Sequence, residues 1–124
     1  PDAAGAGPLS LDELPGIDVA AARASTLGNE KLLRRLLAMF LDSQVGAAAT
    51  FRAARAAGDA RQAQRLAHTL GSTAGSLGAL GVQRSAQALE RACEAGEGDA
   101  AIAGLLAALE TQLAPVLAGL ARLR

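Results

Sequence analysis

The sequence predicts an all-α protein, an antiparallel four-helix bundle with a short N-terminal helix in front of it. Apolar residues make up 51% of the 124 residues. They are mostly alanine and leucine, which favour helices, and few residues are β-branched. Apolar positions recur three and four residues apart over long stretches. Glycines and capping residues separate these stretches at short intervals, as the loops of a bundle require.

The N-terminal part of the chain differs in composition from the rest. Residues 1–16 are rich in alanine, glycine and proline, and we expect them to form a linker or N-terminal extension. The folded domain is then expected over residues 17–124. Asp18 is a suitable N-cap for a brief helix over residues 19–23 that ends before Gly28.

The first long helix is predicted to begin after Asn29, which can cap it. Its apolar pattern continues past Gly46, where we expect a kink, until Gly58 ends it. Asp59 and Gln62 have the spacing of a capping box and mark the start of the next helix.

Two further long helices follow the one that holds the histidine, which Gly78 closes. Residues 80–95 place Val82, Ala86, Leu89 and Cys93 in one apolar stripe. Asp99 is expected to cap the last helix. Pro115 lies inside that helix and removes a backbone donor, so we expect a kink there.

Charge and cysteine content exclude several classes of function. Twelve basic and twelve acidic residues balance, which argues against a general nucleic-acid or membrane-surface binder. No uncharged apolar run is framed as a membrane span, so we expect a cytoplasmic domain that does not itself insert into a membrane. As an isolated domain we expect it to be a monomer. The single cysteine, Cys93, excludes an internal disulfide and a cysteine-rich metal site.

The only histidine, His68, is predicted to point away from the core. On a helix over residues 59–78, at about 100° per residue, His68 lies roughly 140° from the centre of the apolar stripe. It shares its polar face with Arg61, Arg65 and Ser72. The stripe consists of Ala63, Leu66, Ala67, Leu70, Ala74 and Leu77.

Two glycines flank this polar face. Gly71 and Gly75 each cost a helix up to about 1 kcal/mol relative to alanine, and alanine is abundant elsewhere in the chain. We expect them to leave clearance for another molecule beside His68. Close packing of a neighbouring helix is the alternative explanation.

The segment around the histidine resembles the signature of a known family. Ala67-His68-Thr69-Leu70, followed by Ala74-Gly75-Ser76-Leu77-Gly78-Ala79, is similar to the motif A-H-x-L-K-G-x-A-x-x-L-G-A of histidine-containing phosphotransfer (HPt) domains. These modules occur in bacterial hybrid sensor histidine kinases. The resemblance covers roughly residues 17–121. It departs where the family has lysine and glycine, since this chain has Gly71 and Ser72.

The resemblance implies a phosphoryl carrier without kinase activity of its own. His68 would accept a phosphoryl group from a receiver-domain aspartate and pass it to another receiver. Mg²⁺ is expected on the receiver, and no metal or cofactor is expected on this chain. Arg65, Ser72 and Gln87 are candidates to support the phosphoryl group in place of the missing lysine. The domain would belong to the cytoplasmic C-terminal part of a membrane-anchored sensor kinase.

The hairpin after the histidine helix indicates which residues lie opposite His68. Its turn falls near residues 78–80, which brings Gln87, Glu90 and Arg91 into range. Gln87 could hydrogen-bond the phosphoryl group or steady the ring, and Glu90 could instead orient the imidazole, although its charge would oppose a nearby phosphate. Arg91 fits a solvated helix face better. An apolar docking patch is expected beside the histidine, with Leu27 and Leu80 as weak candidates.

Other functions stay open at this point. The same fold can serve as a binding module with weak or no phosphotransfer, which the missing lysine favours. An alanine-rich scaffold or oligomerisation domain is a lower-ranked third reading. His68 would then be an ordinary surface histidine.

Overall fold

Helices form nearly all the regular structure of residues 7–123, which are the residues described by the computed structural model. A 3-10 turn at Leu11–Glu13 precedes six α-helices. The predicted all-α helical bundle is confirmed. The helices are α1 (Val19–Ser25), α2 (Glu30–Gln44), α3 (Ala47–Ala56), α4 (Ala60–Ser76), α5 (Leu80–Glu94) and α6 (Asp99–Ala121).

Side-chain caps set the first residues of three helices. The carboxylates of Asp18 and Asp59 and the amide oxygen of Asn29 each accept a hydrogen bond from the backbone N–H three residues later. These caps were predicted and are confirmed. The cap predicted at Asp99 is wrong, because Asp99 is already the first residue of α6. Its carboxylate instead accepts a 2.7 Å hydrogen bond from the Arg55 guanidinium.

The first long helix of the bundle is broken. A kink was predicted at Gly46, but α2 ends at Gln44 and α3 begins at Ala47. Val45 at the break is exposed, whereas Phe40 before it and Phe51 after it are both buried. Both segments therefore pack on the same core, and the break removes neither helix from the bundle.

The bundle is held together along a series of helix pairs. α4 packs most extensively on α5, α5 packs on α6, and α3 and α2 contact α4 and α6 respectively. α1 lies against the turn between α4 and α5, where the backbone N–H of Asp18 donates to the carbonyl of Gly78 at 2.8 Å. The core is aliphatic, and its largest fully buried side chains are Leu33, Leu37, Val82, Leu89 and Val116.

The segment before α1 packs on the bundle. Leu11 and Leu14 are buried in the core. The backbone N–H of Leu9 donates to the carbonyl of Arg122 at 2.7 Å, and Leu9 forms a parallel bridge with Leu123. The packed part of the chain therefore begins before residue 17. Residues 1–6 of the predicted extension lie outside the described residues.

Helix α6 is the most apolar element. It is long and apolar enough to cross a membrane by length and composition alone. The core helix of a soluble protein can have the same length and composition, and seven α6 residues are buried in the bundle. The helix continues through Pro115 without ending, and the predicted kink stays a prediction.

Candidate functional site

Helix α4 holds His68 outside the core, as its periodicity predicts. Ala63, Ala67, Leu70 and Ala74 are buried and fix the rotation of the helix. The His68 side chain lies on the other face and is 67% exposed. A molecule in solvent can therefore reach the imidazole without any movement of the bundle.

One ring nitrogen of His68 has a partner on the neighbouring helix. The Nδ1 atom lies 2.8 Å from Oε2 of Glu90 on α5, and the Glu90 side chain is only 20% exposed. An ionised carboxylate only accepts hydrogen bonds, so Nδ1 carries the proton of this pair. In the neutral ring, Nε2 then holds the lone pair and faces away from the carboxylate. The orienting role expected for Glu90 agrees with this geometry.

The glycines of α4 allow close packing of α5. Gly71 is buried, and a Cβ there would stand 3.5 Å from the Cβ of Ala86 and 3.7 Å from Cγ of Gln87. A Cβ at Gly75 would overlap the amide of Gln83. The clearance predicted at Gly71 and Gly75 for a visiting molecule is therefore wrong. The space is occupied by α5, because residues without a side chain let two helices approach closely.

The residues predicted to support a phosphoryl group lie near His68 on α4 and on the neighbouring helix α5. Arg65 and Ser72 are exposed on α4, and the Arg65 guanidinium donates to Oε1 of Gln62 at 2.8 Å. Gln87 is exposed on α5 beside Gly71. No hydrogen bond or ion pair within residues 7–123 joins these three side chains to His68. Their roles stay predictions.

The other candidates are spread over the surface. Leu27 is 95% exposed in the turn between α1 and α2, and Leu80 is half-buried at the start of α5. Arg91 is exposed, as expected. Cys93 packs against the core, and burial raises the pKa of its thiol. Within the described part of the chain, no three His, Cys, Asp or Glu side chains are grouped so that they could hold a metal ion.

Sequence reasoning missed Gln83, whose amide covers Gly75. A usable signal was present in the spacing. Gln83, Gln87 and Glu90 lie four and three residues apart, so they share one polar face of α5, which borders α4. Counting residues outward from the turn between α4 and α5 would have paired Gln83 with Gly75.

Comparison with protein-family models places this site in a known context. The model described as the Hpt domain matches residues 35–120, which include all of α3, α4 and α5. The chain belongs to the Hpt domain family. Hpt domains carry out histidine phosphotransfer in phosphorelays, interact with receiver domains and are typically soluble cytoplasmic modules. Comparisons with curated proteins and with solved structures gave no significant match.

Proposed function

We propose that His68 is the phosphorylated residue of this Hpt domain and that Nε2 is its nucleophilic atom. The observation that carries the proposal is the exposed ring, whose Nδ1 is bonded to Glu90 at 2.8 Å. A fixed Nδ1–H tautomer leaves the Nε2 lone pair available for attack.

The reaction is a reversible exchange between an aspartyl phosphate and the imidazole. Nε2 of His68 attacks the phosphorus of a receiver's aspartyl phosphate, the N–P bond forms, and the P–O bond to the aspartate breaks. The carboxylate leaves with the electron pair. A second receiver aspartate then attacks the same phosphorus and releases the neutral imidazole. Mg²⁺ bound by the receiver would neutralise charge on the transferring group.

Glu90 supports the phosphorylated state from the far edge of the ring. Phosphorylation at Nε2 leaves a proton on Nδ1 and places positive charge on the imidazole, which the Glu90 carboxylate stabilises at hydrogen-bond distance. The carboxylate and the phosphoryl group are separated by the ring, which limits their repulsion. In this proposal the phosphoryl oxygens are supported by Arg65, one turn before His68, by Ser72, one turn after it, and by Gln87 on α5.

Phosphotransfer from a labelled receiver tests the assignment. The wild-type chain should take up label that is acid-labile and base-stable, and His68→Gln should abolish it. Ser76→Gln, an exposed position near the end of α4, is the matched control and should be labelled normally. A wild-type chain that binds several phosphorylated receivers but takes no label would overturn the proposal.

A second candidate function is receiver binding with weak or no transfer. Gly71, where the resembled motif has lysine, is the observation that favours it. A Cβ at this position meets neighbours only at ordinary contact distances, so Gly71→Ala fits the packing and is the control for Gly71→Lys, whose longer side chain has to pass the neighbouring side chains of α5. A large gain in transfer rate or phosphohistidine lifetime in Gly71→Lys would indicate that the natural domain is impaired.

The cellular setting is also part of the proposal. A cytoplasmic domain of a bacterial membrane-anchored hybrid kinase, monomeric in isolation, fits the Hpt family and the mixed surface charge. Size measurement with and without a receiver distinguishes it from a scaffold. A scaffold would self-associate regardless of the residue at position 68.

A further inference from the structure

A cavity of about 150 Å³ lies within the helical bundle, on the side of α4 away from His68. It begins at the break between α2 and α3 and reaches α4, α5 and α6. Apolar side chains form most of its wall. They include Ala48, Phe51, Ala67, Leu70, Leu106 and Leu109.

The cavity follows from the sequence at the break. Two alanines, Ala47 and Ala48, are the first residues of α3, directly after the break. A third small residue, Ala67, faces them from α4. Alanine side chains end at Cβ, so none of the three reaches the centre of the space. The space opens to solvent past the exposed residues Ser43, Thr50 and Thr69, so it is a pocket in the wall of the bundle.

Three of the polar groups at the edge of the cavity have hydrogen-bond partners within the bundle. The Ser43 hydroxyl donates to the carbonyl of Phe40 at 3.0 Å, and the Thr50 hydroxyl donates to the carbonyl of Gly46 at 3.0 Å. The Glu110 carboxylate accepts a 2.7 Å hydrogen bond from Arg52. These groups therefore offer little compensation to a charged ligand that would lose its hydration on entry.

We propose that this cavity is a binding site for a small, uncharged, apolar ligand of a size between benzene and indole. An apolar cavity of about 150 Å³ is large enough to hold benzene, so the volume and the mostly apolar lining are sufficient. This site is distinct from the phosphotransfer site. Ala67 and Leu70 line the cavity, whereas His68 between them points to solvent.

Nuclear magnetic resonance of the leucine methyl groups provides the test. Titration of the full chain with benzene, and separately with indole, should give saturable shifts at Leu106 and Leu109. Benzoate should bind at least ~10-fold more weakly than benzene, because its charge would be desolvated. Absence of saturable shifts with both neutral probes, or equally tight binding of benzoate, would overturn the proposal.

A matched pair of variants localises the binding. Ala48→Leu adds a side chain inside the cavity and should weaken benzene binding at least ~10-fold by occupying the space. Ala49→Leu makes the same change at the next residue, which is exposed, and should bind as the wild type does. Leu66→Phe is the second filling variant if Ala48→Leu does not fold. Wild-type affinity in a folded filling variant would place the ligand elsewhere and refute the site.

Discussion

Replacement of Glu90 by alanine tests the mechanism at its central contact. The hydrogen bond from Nδ1 of His68 to Glu90 is 2.8 Å long. Hydrogen bonds to charged groups contribute about 1.5–3 kcal/mol. Because the ring is 67% exposed and solvent screens the pair, we place this bond at or below the lower limit of that range, at about 1–1.5 kcal/mol. Its loss should lower the ratio of the Nδ1–H to the Nε2–H tautomer by roughly 5- to 10-fold.

Two measurements on Glu90→Ala follow from this estimate. Long-range ¹H–¹⁵N correlations of the His68 ring report the tautomer directly and should show a gain of the Nε2–H form. The rate of phosphotransfer from a labelled receiver should fall at least in proportion to the lost fraction of rings with a free Nε2, because only these rings react and the Glu90 charge also stabilises the phosphorylated ring. Glu90→Gln keeps an acceptor oxygen and should retain part of the wild-type tautomer preference.

Glu94→Ala is the control, because it removes a carboxylate one turn along α5 at an exposed position. It should change neither the tautomer nor the rate. The reasoning is refuted if Glu90→Ala and Glu94→Ala give the same tautomer ratio and the same rate. A slower rate with an unchanged tautomer would show that Glu90 acts by its charge alone.

Three further predictions concern stability and reactivity. Gly78→Ala should lower the free energy of unfolding by about 2–4 kcal/mol, because Gly78 has a φ of 79° and a Cβ there would overlap the backbone carbonyl of Asp18. Gly58→Ala, at a φ of 76° in open space, should cost only about 1 kcal/mol, and equal losses in urea denaturation would contradict the clash. Leu27→Gly should leave the free energy of unfolding unchanged or raise it by up to about 1 kcal/mol, since Leu27 has a φ of 53° and is 95% exposed; a clear loss would contradict this. Burial raises the pKa of the Cys93 thiol, so alkylation by iodoacetamide at about pH 8 should be slower in the folded chain than in urea, and the difference should narrow as the pH passes the raised pKa.

Helix starts and faces were predictable because local chemistry determines them. Asp18, Asn29 and Asp59 cap the helices that follow them, and each cap needs only the neighbouring backbone. The exposed position of His68 follows from the period of one helix. The break at Gly46 was harder to predict, because a glycine within an apolar pattern is compatible with a straight, kinked or broken helix. Packing of Phe40 and Phe51 on a shared core accompanies the broken form.

Contacts between helices were less predictable. The hairpin register gave Gln87, Glu90 and Arg91 as candidates opposite His68, but choosing among them requires the relative rotation of α4 and α5. The glycines show the same limit. Helical period places Gly71 beside the histidine, yet it cannot tell whether solvent or α5 lies above a residue at the edge of the stripe.

The pairing of Leu9 with Leu123 has a practical consequence for building fusions. Because the two ends of the packed domain run side by side, a tether attached at either end departs from the same corner of the molecule. A circular permutant would join the two ends of the domain by a short flexible connector and open new termini in the exposed turn at residues 96–98. We expect this permuted protein to fold.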